Sequence, residues 1–352
     1  MISKSNRPLI SICIPSYNRL EYLSPLLDSI LSQDYSDYEI LICEDHSPQR
    51  SEISSLVTIY QKRFPGLIRY KENDFNFGYD RNIRNLIHHA RGIFCLFMGN
   101  DDLLCQGALS AISSIILREA ECGVVVRSYA TFDVDPAQFK QIFRYFPEEV
   151  VLLAGERAIK SAYRRSVVIP GMVIHRDSAE DIATDKFDGT LLYQLYLVGV
   201  VLASRSVIFT PKIIALRRDG TPPDFGNSEA EKGKFVPQNQ TPESSLFFVR
   251  GMLNIALFVQ EKTGLKVFKG IRKDIGNYSY PILSIQSSQP IKVFLAYGAN
   301  LWAMGFWRYP LFYFYFIGLV ILGVNRLDKL IIFIKTKLGF TPRFGIADFK
   351  RK

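Results

Sequence analysis

The chain has 352 residues, 48% of them hydrophobic and 13% aromatic, with 43 Lys and Arg against 34 Asp and Glu for a net charge of +9. This composition supports a large buried core and excludes a disordered chain. A basic balance fits nucleic acid, an anionic membrane or phosphorylated small molecules; with no nucleic-acid signature and no basic stripe, nucleic acid is set aside as a partner. The five cysteines, Cys13, Cys43, Cys95, Cys105 and Cys122, lie in the first 122 residues. Three sit inside apolar runs and none forms a C-x-x-C pair, which predicts reduced core thiols of a cytosolic protein. Residues 1–8 are polar, so no signal peptide is expected.

In chain order, an apolar strand over residues 9–14 ends in Pro15-Ser-Tyr-Asn-Arg19. A helix follows over 22–33, with Leu23, Leu26, Leu27, Ile30 and Leu31 on one face. A second strand, 38–43, stops in Glu44-Asp-His-Ser47, and a helix carrying Ile53, Leu56, Val57 and Tyr60 comes next. A short third strand covers 67–70, and Asn76-Phe-Gly-Tyr-Asp-Arg-Asn82 opens a helix running to about residue 90. The fourth strand, 93–98, is apolar throughout and stops in Gly99-Asn-Asp-Asp102. Alternation of strand and helix predicts a mostly parallel sheet with helices on both faces. Three polar strand ends then converge on one crevice.

Farther on, 109–117 reads as helix, 123–127 as strand, and 133–149 as a polar loop over the crevice. Residues 155–163 are helical; 167–174 are strand-like with a break at Pro170-Gly171; 190–200 are helical; and 207–216 hold the last strand region. Residues 222–240, rich in Pro, Gly and Asn, read as a linker.

Asp101 and Asp102 carry the chemistry that the rest can be tested against. Two carboxylates side by side repel, and a hard divalent cation, Mg²⁺ or Mn²⁺, relieves the repulsion while holding a diphosphate. The competing reading is a solvated turn with Asp as a helix cap. Gly-rich phosphate loops are absent. His88 and His89 are adjacent, so on a helix they point about 100° apart and cannot share a metal. His46, following Glu44-Asp45, could line the pocket, although a loop histidine is more often merely exposed.

Pro15-Ser-Tyr-Asn-Arg19, Glu44-Asp45, Gly78-x-x-Arg81-Asn82 and Asn100-Asp-Asp102, in that order, resemble the family 2 glycosyltransferases of the GT-A fold over residues 9–220. The Asn76–Asn82 stretch, with Lys186-Phe-Asp-Gly189 and Arg217-Arg-Asp-Gly220, looks closest to the abequosyltransferase-like branch of surface polysaccharide synthesis. A C-terminal helical, membrane-associating region is expected over 226–352, and the resemblance implies an α/β GT-A domain over 1–225. It implies that Pro15, Tyr17 and Arg19 line a nucleotide pocket and that Asp45, with Glu44 beside it, faces the base. Arg81 would reach the base or diphosphate, and Gly78, Asn82 and Asn100 would shape the site. Asp101, seconded by Asp102, would hold the metal. Members usually have a carboxylate two positions before Asp101; here Gly99 stands there, leaving the metal with fewer ligands.

Sugar transfer from a nucleotide diphosphate needs charge neutralisation at the leaving group and a base at the acceptor hydroxyl. Family 2 members invert as a rule. Asp188 is the expected base, with Asp185 and Asp181 as rivals and helix capping as its alternative role. Arg217 and Arg218 are expected over the diphosphate as bidentate donors. A nucleotidyltransferase on a similar sheet, and a non-catalytic scaffold of the same fold, are the rival functions.

The last third is apolar and aromatic. Residues 309–324 carry no charge but fall short of the ~20 residues a spanning helix needs. Arg326, Lys329, Lys335, Lys337, Arg343, Lys350, Arg351 and Lys352 follow. This predicts helices lying in or dipping into the cytoplasmic leaflet of the inner or plasma membrane, one short span or a soluble helical subdomain being the alternatives. A lipid-linked saccharide is the acceptor such a position implies.

Overall fold

The computed structural model describes residues 7–220 and 223–338. The N-terminal alternation becomes β1 (Ile10–Ser16), α1 (Leu20–Leu31), β2 (Tyr38–Glu44), α2 (Arg50–Arg63), β3 (Ile68–Glu72), α3 (Tyr79–His89) and β4 (Phe94–Phe97). Then come β5 (Leu103–Leu104), α4 (Ala108–Arg118), β6 (Cys122–Phe132), β7 (Gln141–Phe143), β8 (Val150–Leu152) and α5 (Glu156–Ala162). The sheet is completed by β9 (Met172–His175), α6 (Arg176–Glu180), α7 (Tyr193–Val201) and β10 (Ser206–Arg218). Five helices follow: α8 (Pro242–Thr263), α9 (Phe268–Asn277), α10 (Tyr280–Ser284), α11 (Ile291–Ala303) and α12 (Pro310–Leu338).

The strands form one sheet in the order β3-β2-β1-β4-β9-β6-β10-β5, with β7 on β6 and β8 on β10. β3, β2, β1 and β4 are parallel, with Ile12 beside Ile40 on one side and Leu96 on the other. β9 lies antiparallel between β4 and β6, and β10 runs parallel to β6. The sheet is therefore mostly parallel, and it reverses direction where β9 is inserted.

The uninterrupted apolar runs follow from burial on both faces. Ile12 and Ile14 of β1 and Leu96 of β4 face a core closed by Leu23 and Leu26 of α1 and Ile112 of α4. Their neighbours Cys13, Cys95 and Phe97 face the opposite core with α3, α7 and α8. Phe312, Tyr315, Leu327 and Ile331 of α12 belong to that second core, so the C-terminal helices and the sheet bury a common apolar cluster. The five cysteines are free thiols, four of them buried.

Two stretches differ from expectation. Residues 167–170 are not strand: Pro170 has no N–H for a ladder, and Gly171 takes a left-handed φ of 75°. The segment is held by the fully buried Arg127, which donates to the Val168 and Pro170 carbonyls at 2.6 and 2.5 Å. Within 133–149, Gln141–Phe143 pairs with β6.

α12 is interrupted at Gly323, whose φ and ψ of 70° and 175° are not helical. Among the described residues no helix is long and apolar enough to cross a membrane.

Candidate active site

The carboxyl ends of β1, β2 and β4 and the end of β10 surround a crevice of about 350 Å³. Its shape comes from strand ends giving way to turns whose backbones need help. After β2, Asp45 is buried and accepts hydrogen bonds from the Phe77 and Gly78 amides at 2.8 and 2.9 Å and from Asn73 Nδ2 at 2.8 Å. Burial pushes its carboxyl up to about 6, against those donors. Asn82 bridges the same turn, donating to the Cys43 carbonyl and accepting from Asn73. Gly78 has a φ of 79°, and a Cβ there would collide with Ser228 Oγ and lie 2.9 Å from Glu231 Oε1. A glycine is therefore required both by conformation and by the close approach of residues 223–235.

Opposite lies the acidic tip. Asp101 Oδ2 pairs with Arg19 Nη1 at 2.5 Å, and Asp102 Oδ1 accepts the Arg218 amide at 3.0 Å. Burial, and then the neighbouring Asp101, drives the Asp102 carboxyl upward. Asn100 Nδ2 donates to the Asn18 carbonyl at 3.0 Å, tying this tip to the turn after β1. Arg218 donates to the Asp101 carbonyl at 3.2 Å and stacks over Tyr22 and Phe132; Arg217 also lines the crevice.

The pair fits a divalent cation held partly by its ligand. A Cβ placed on Gly99 would overlap Asp102 Oδ2 and lie 3.2 Å from Asp101 Oδ1, so both carboxylates converge over that glycine and leave no room for a third. No group of three His, Cys, Asp or Glu side chains able to hold a metal occurs among the described residues. Mg²⁺ and Mn²⁺ are commonly held by one or two carboxylates, with phosphate and water filling the rest.

Pro15, Tyr17, Arg19, Asp45, Gly78, Asn82, Asn100, Asp101, Asp102, Arg217 and Arg218 all line the crevice. Several expected residues do not. Glu44 is next to Asp45 on an extended chain and so points to the opposite face; its carboxylate accepts the Ser47 amide at 3.1 Å inside the turn. Arg81 is drawn onto the rings of Phe77 and Phe75, at 3.7 and 5.2 Å. Asp188 is bound bidentately by Arg84 at 2.6 and 2.8 Å, away from the crevice, and neither Asp185 nor Asp181 lines it. The α6–α7 segment carrying these three acids packs against α3 instead, because Arg84 of α3 needs a counter-ion there.

The sequence reading missed Gln194, Asp224 and Glu231, all of which line the crevice. Glu231 is buried, accepting the Tyr79 amide at 2.8 Å and the Gly226 amide at 2.9 Å. Asp224 is half-buried, with only long contacts from Asn18 and Gln238 at 3.5 and 3.4 Å. The signal available was a pair of acids inside a Pro- and Gly-rich stretch, which local composition marks as linker.

A mostly parallel sheet with an acidic tip, arginines and a turn-capping Asp at its carboxyl edge places these groups where open α/β sheets bind ligands. Comparison with known proteins adds to this. Residues 11–181, just under half of the chain, match the model of Glycosyl transferase family 2. The chain is 33% identical over 113 residues to Abequosyltransferase RfbV of Salmonella typhimurium, covering 32% of this chain and 34% of that one. It is 31% identical over 105 residues to the GalNAc(5)-diNAcBac-PP-undecaprenol beta-1,3-glucosyltransferase of Campylobacter jejuni, covering 30% and 33%. The chain thus spans about a third of the length of these curated relatives. In fold it is similar to Staphylococcus aureus TarS 1–349 in complex with UDP-GlcNAc, with a TM-score of 0.53 and 16% identity over 80% of this chain and 73% of that one. It is also similar to the mannosyltransferase PcManGT of Pyrobaculum calidifontis in complex with GDP-Man and Mn²⁺, with a TM-score of 0.52 and 14% identity over 91% and 88%.

Proposed function

We propose that the chain is an inverting glycosyltransferase that moves a sugar from a nucleotide diphosphate to a lipid-linked saccharide in surface polysaccharide synthesis. The observation that carries this reading is the meeting of Asp45, the Asp101–Asp102 pair, Arg19 and Arg218 around one crevice. Asp45 holds the Phe77–Gly78 amides and so shapes the wall for the base. Asp101 and Asp102 would hold Mg²⁺ or Mn²⁺, which when bound neutralises charge on the departing diphosphate. Arg19, Arg217 and Arg218 supply fixed positive charge on the same side.

In direct displacement the acceptor hydroxyl oxygen bonds to the anomeric carbon, the bond from that carbon to the diphosphate oxygen breaks, and the hydroxyl proton passes to a base. Asp45, Glu231 and Asp102 already have carboxylate oxygens committed to backbone amides. Asp224 has the weakest commitments, and we assign the base to it. Asp224→Asn should lower transfer about 10²–10⁴-fold with little change in melting temperature. Asp188→Asn should do the reverse, losing part of the Arg84 pair and stability while retaining turnover. Release of nucleoside diphosphate from a nucleotide-sugar panel is the assay; release of pyrophosphate instead would identify a nucleotidyltransferase.

A position at the cytoplasmic membrane surface is part of the proposal. α11 and α12 expose Ile291, Trp302, Ile317, Ile321 and Phe333 while burying their opposite faces. Arg326 and Lys329 are exposed along α12. Of the other basic residues expected there, the Lys335 side chain and Arg343, Lys350, Arg351 and Lys352 lie outside the described residues. The protein should co-sediment with vesicles containing anionic lipid, and Ile321→Glu with Phe333→Glu should release it. Equal sedimentation of the double variant would rule out this face.

A further inference from the structure

A second cavity, of about 450 Å³, opens beside the crevice. The two share Val167, Val168, Arg217 and Phe248 and so adjoin across these residues. Its volume lies within the range of small-ligand sites. Segment 164–168 and the helices α9, α10 and α12 form its far side.

The charge is not balanced at the part of its wall formed by residues 164–165. Arg164 and Arg165 share one carboxylate, Asp274, at 2.8 and 3.3 Å. Their side chains are only 11% and 13% exposed. Arg165 Nη1 also donates to the Ser161 carbonyl at 2.8 Å, yet its Nε is buried with no partner. Arg217 adds a third guanidinium, with Asp219 no closer than 3.7 Å. The one carboxylate lining the cavity, Asp328, accepts the Tyr280 hydroxyl. Two nearly buried guanidiniums sharing one carboxylate leave a net positive charge, and a planar donor fork with a free N–H suits a phosphate oxygen.

Aromatic faces stand around that charge. Tyr129 and Phe143 stack at 4.5 Å with their planes 7° apart, and Tyr278 lies under Arg164 at 3.8 Å. Aromatic walls with a few polar groups suit a sugar ring's apolar face and its hydroxyls.

We propose that this cavity is the acceptor subsite and takes a glycan bearing a diphosphate, with the anionic group against Arg165 and Arg164 and the glycan extending past Val168 toward the crevice. The term acceptor rests on the sugar-transfer reading; the binding of a diphosphate here does not.

The test uses the full chain and two probes, farnesyl diphosphate and inorganic pyrophosphate, with affinity measured by calorimetry. Arg165→Met should weaken farnesyl diphosphate at least 10-fold, and by more than Arg218→Met, whose guanidinium serves the crevice. Asp274→Asn frees both guanidiniums and should tighten the probe at least threefold, a direction that mere structural damage does not produce. Tighter binding of farnesyl diphosphate than of pyrophosphate supports a lipid-borne ligand. Equal binding that still depends on Arg165 supports the same site with a soluble one. Loss of binding in Arg218→Met with none in Arg165→Met overturns the proposal, as does unchanged or weaker binding in Asp274→Asn. Because no turnover is needed, failure of sugar transfer with intact probe binding would reject the enzymatic reading alone.

Discussion

Asp101→Ala should lower sugar transfer by about 10²–10³-fold, the scale of losing one aimed electrostatic contact at a leaving group. Asp101 is one of two carboxylates that converge over Gly99, and no group of three side chains able to hold a metal occurs among the described residues. Its loss would remove one of the two carboxylates proposed to hold the cation and would break its pair with Arg19, now at 2.5 Å. Arg19 alone can still attract the diphosphate, so donor binding should fall less than turnover. The measurement is nucleoside diphosphate release against Mn²⁺ concentration, where the variant should need more metal and reach a lower plateau. Full wild-type turnover in a folded Asp101→Ala protein would remove the pair from the chemistry.

Asp80→Ala should produce the largest loss of stability, about 3–5 kcal/mol near pH 5, because each buried amide left without an acceptor costs about 1–3 kcal/mol. Asp80 is fully buried and accepts the amides of Thr190, Leu191 and Tyr193, all at 2.8 Å. Those bonds hold Leu191 in a left-handed conformation, φ 63°, and begin α7, which places Gln194 in the crevice. Burial nevertheless outweighs the three donors and pushes the Asp80 carboxyl up to about 7. The folded protein then binds more protons than the unfolded chain between about pH 4 and 7. The stabilising contribution is fully present below pH 4 and is lost as pH rises through 7. Asp45, pushed up to about 6, acts in the same direction. His89 and His175, both held low chiefly by burial, act oppositely in that window. Denaturant titrations of wild type and Asp80→Ala at pH 5 and pH 8 separate these terms. The gap between them should narrow at the higher pH, and a gap that widens would contradict the assignment.

Strand positions were legible wherever both sheet faces are covered. The runs 9–14, 38–43 and 93–98 are apolar at every position because each residue meets one core or the other. The acids ending those strands were legible for a related reason: a polar residue that stops a buried strand stands at the sheet's edge. Adjacent acids were not separable, since Glu44 and Asp45 differ only in which face an extended chain gives them. The place of Asp188 was not legible because its partner, Arg84, lies 104 residues away.

Local pattern alone thus determined the parallel half of the sheet, the crevice at its carboxyl edge and the placement of Asp45, Asp101 and Asp102 beside it. Tertiary structure decided which acids face that crevice. It turned a Pro- and Gly-rich stretch into a wall bearing Asp224 and Glu231, and it brought Arg164 and Arg165 to one shared carboxylate. Hydrophobic periodicity reports a residue's own burial, whereas ion pairs and turn caps depend on groups far apart in the chain that meet only once the core has closed.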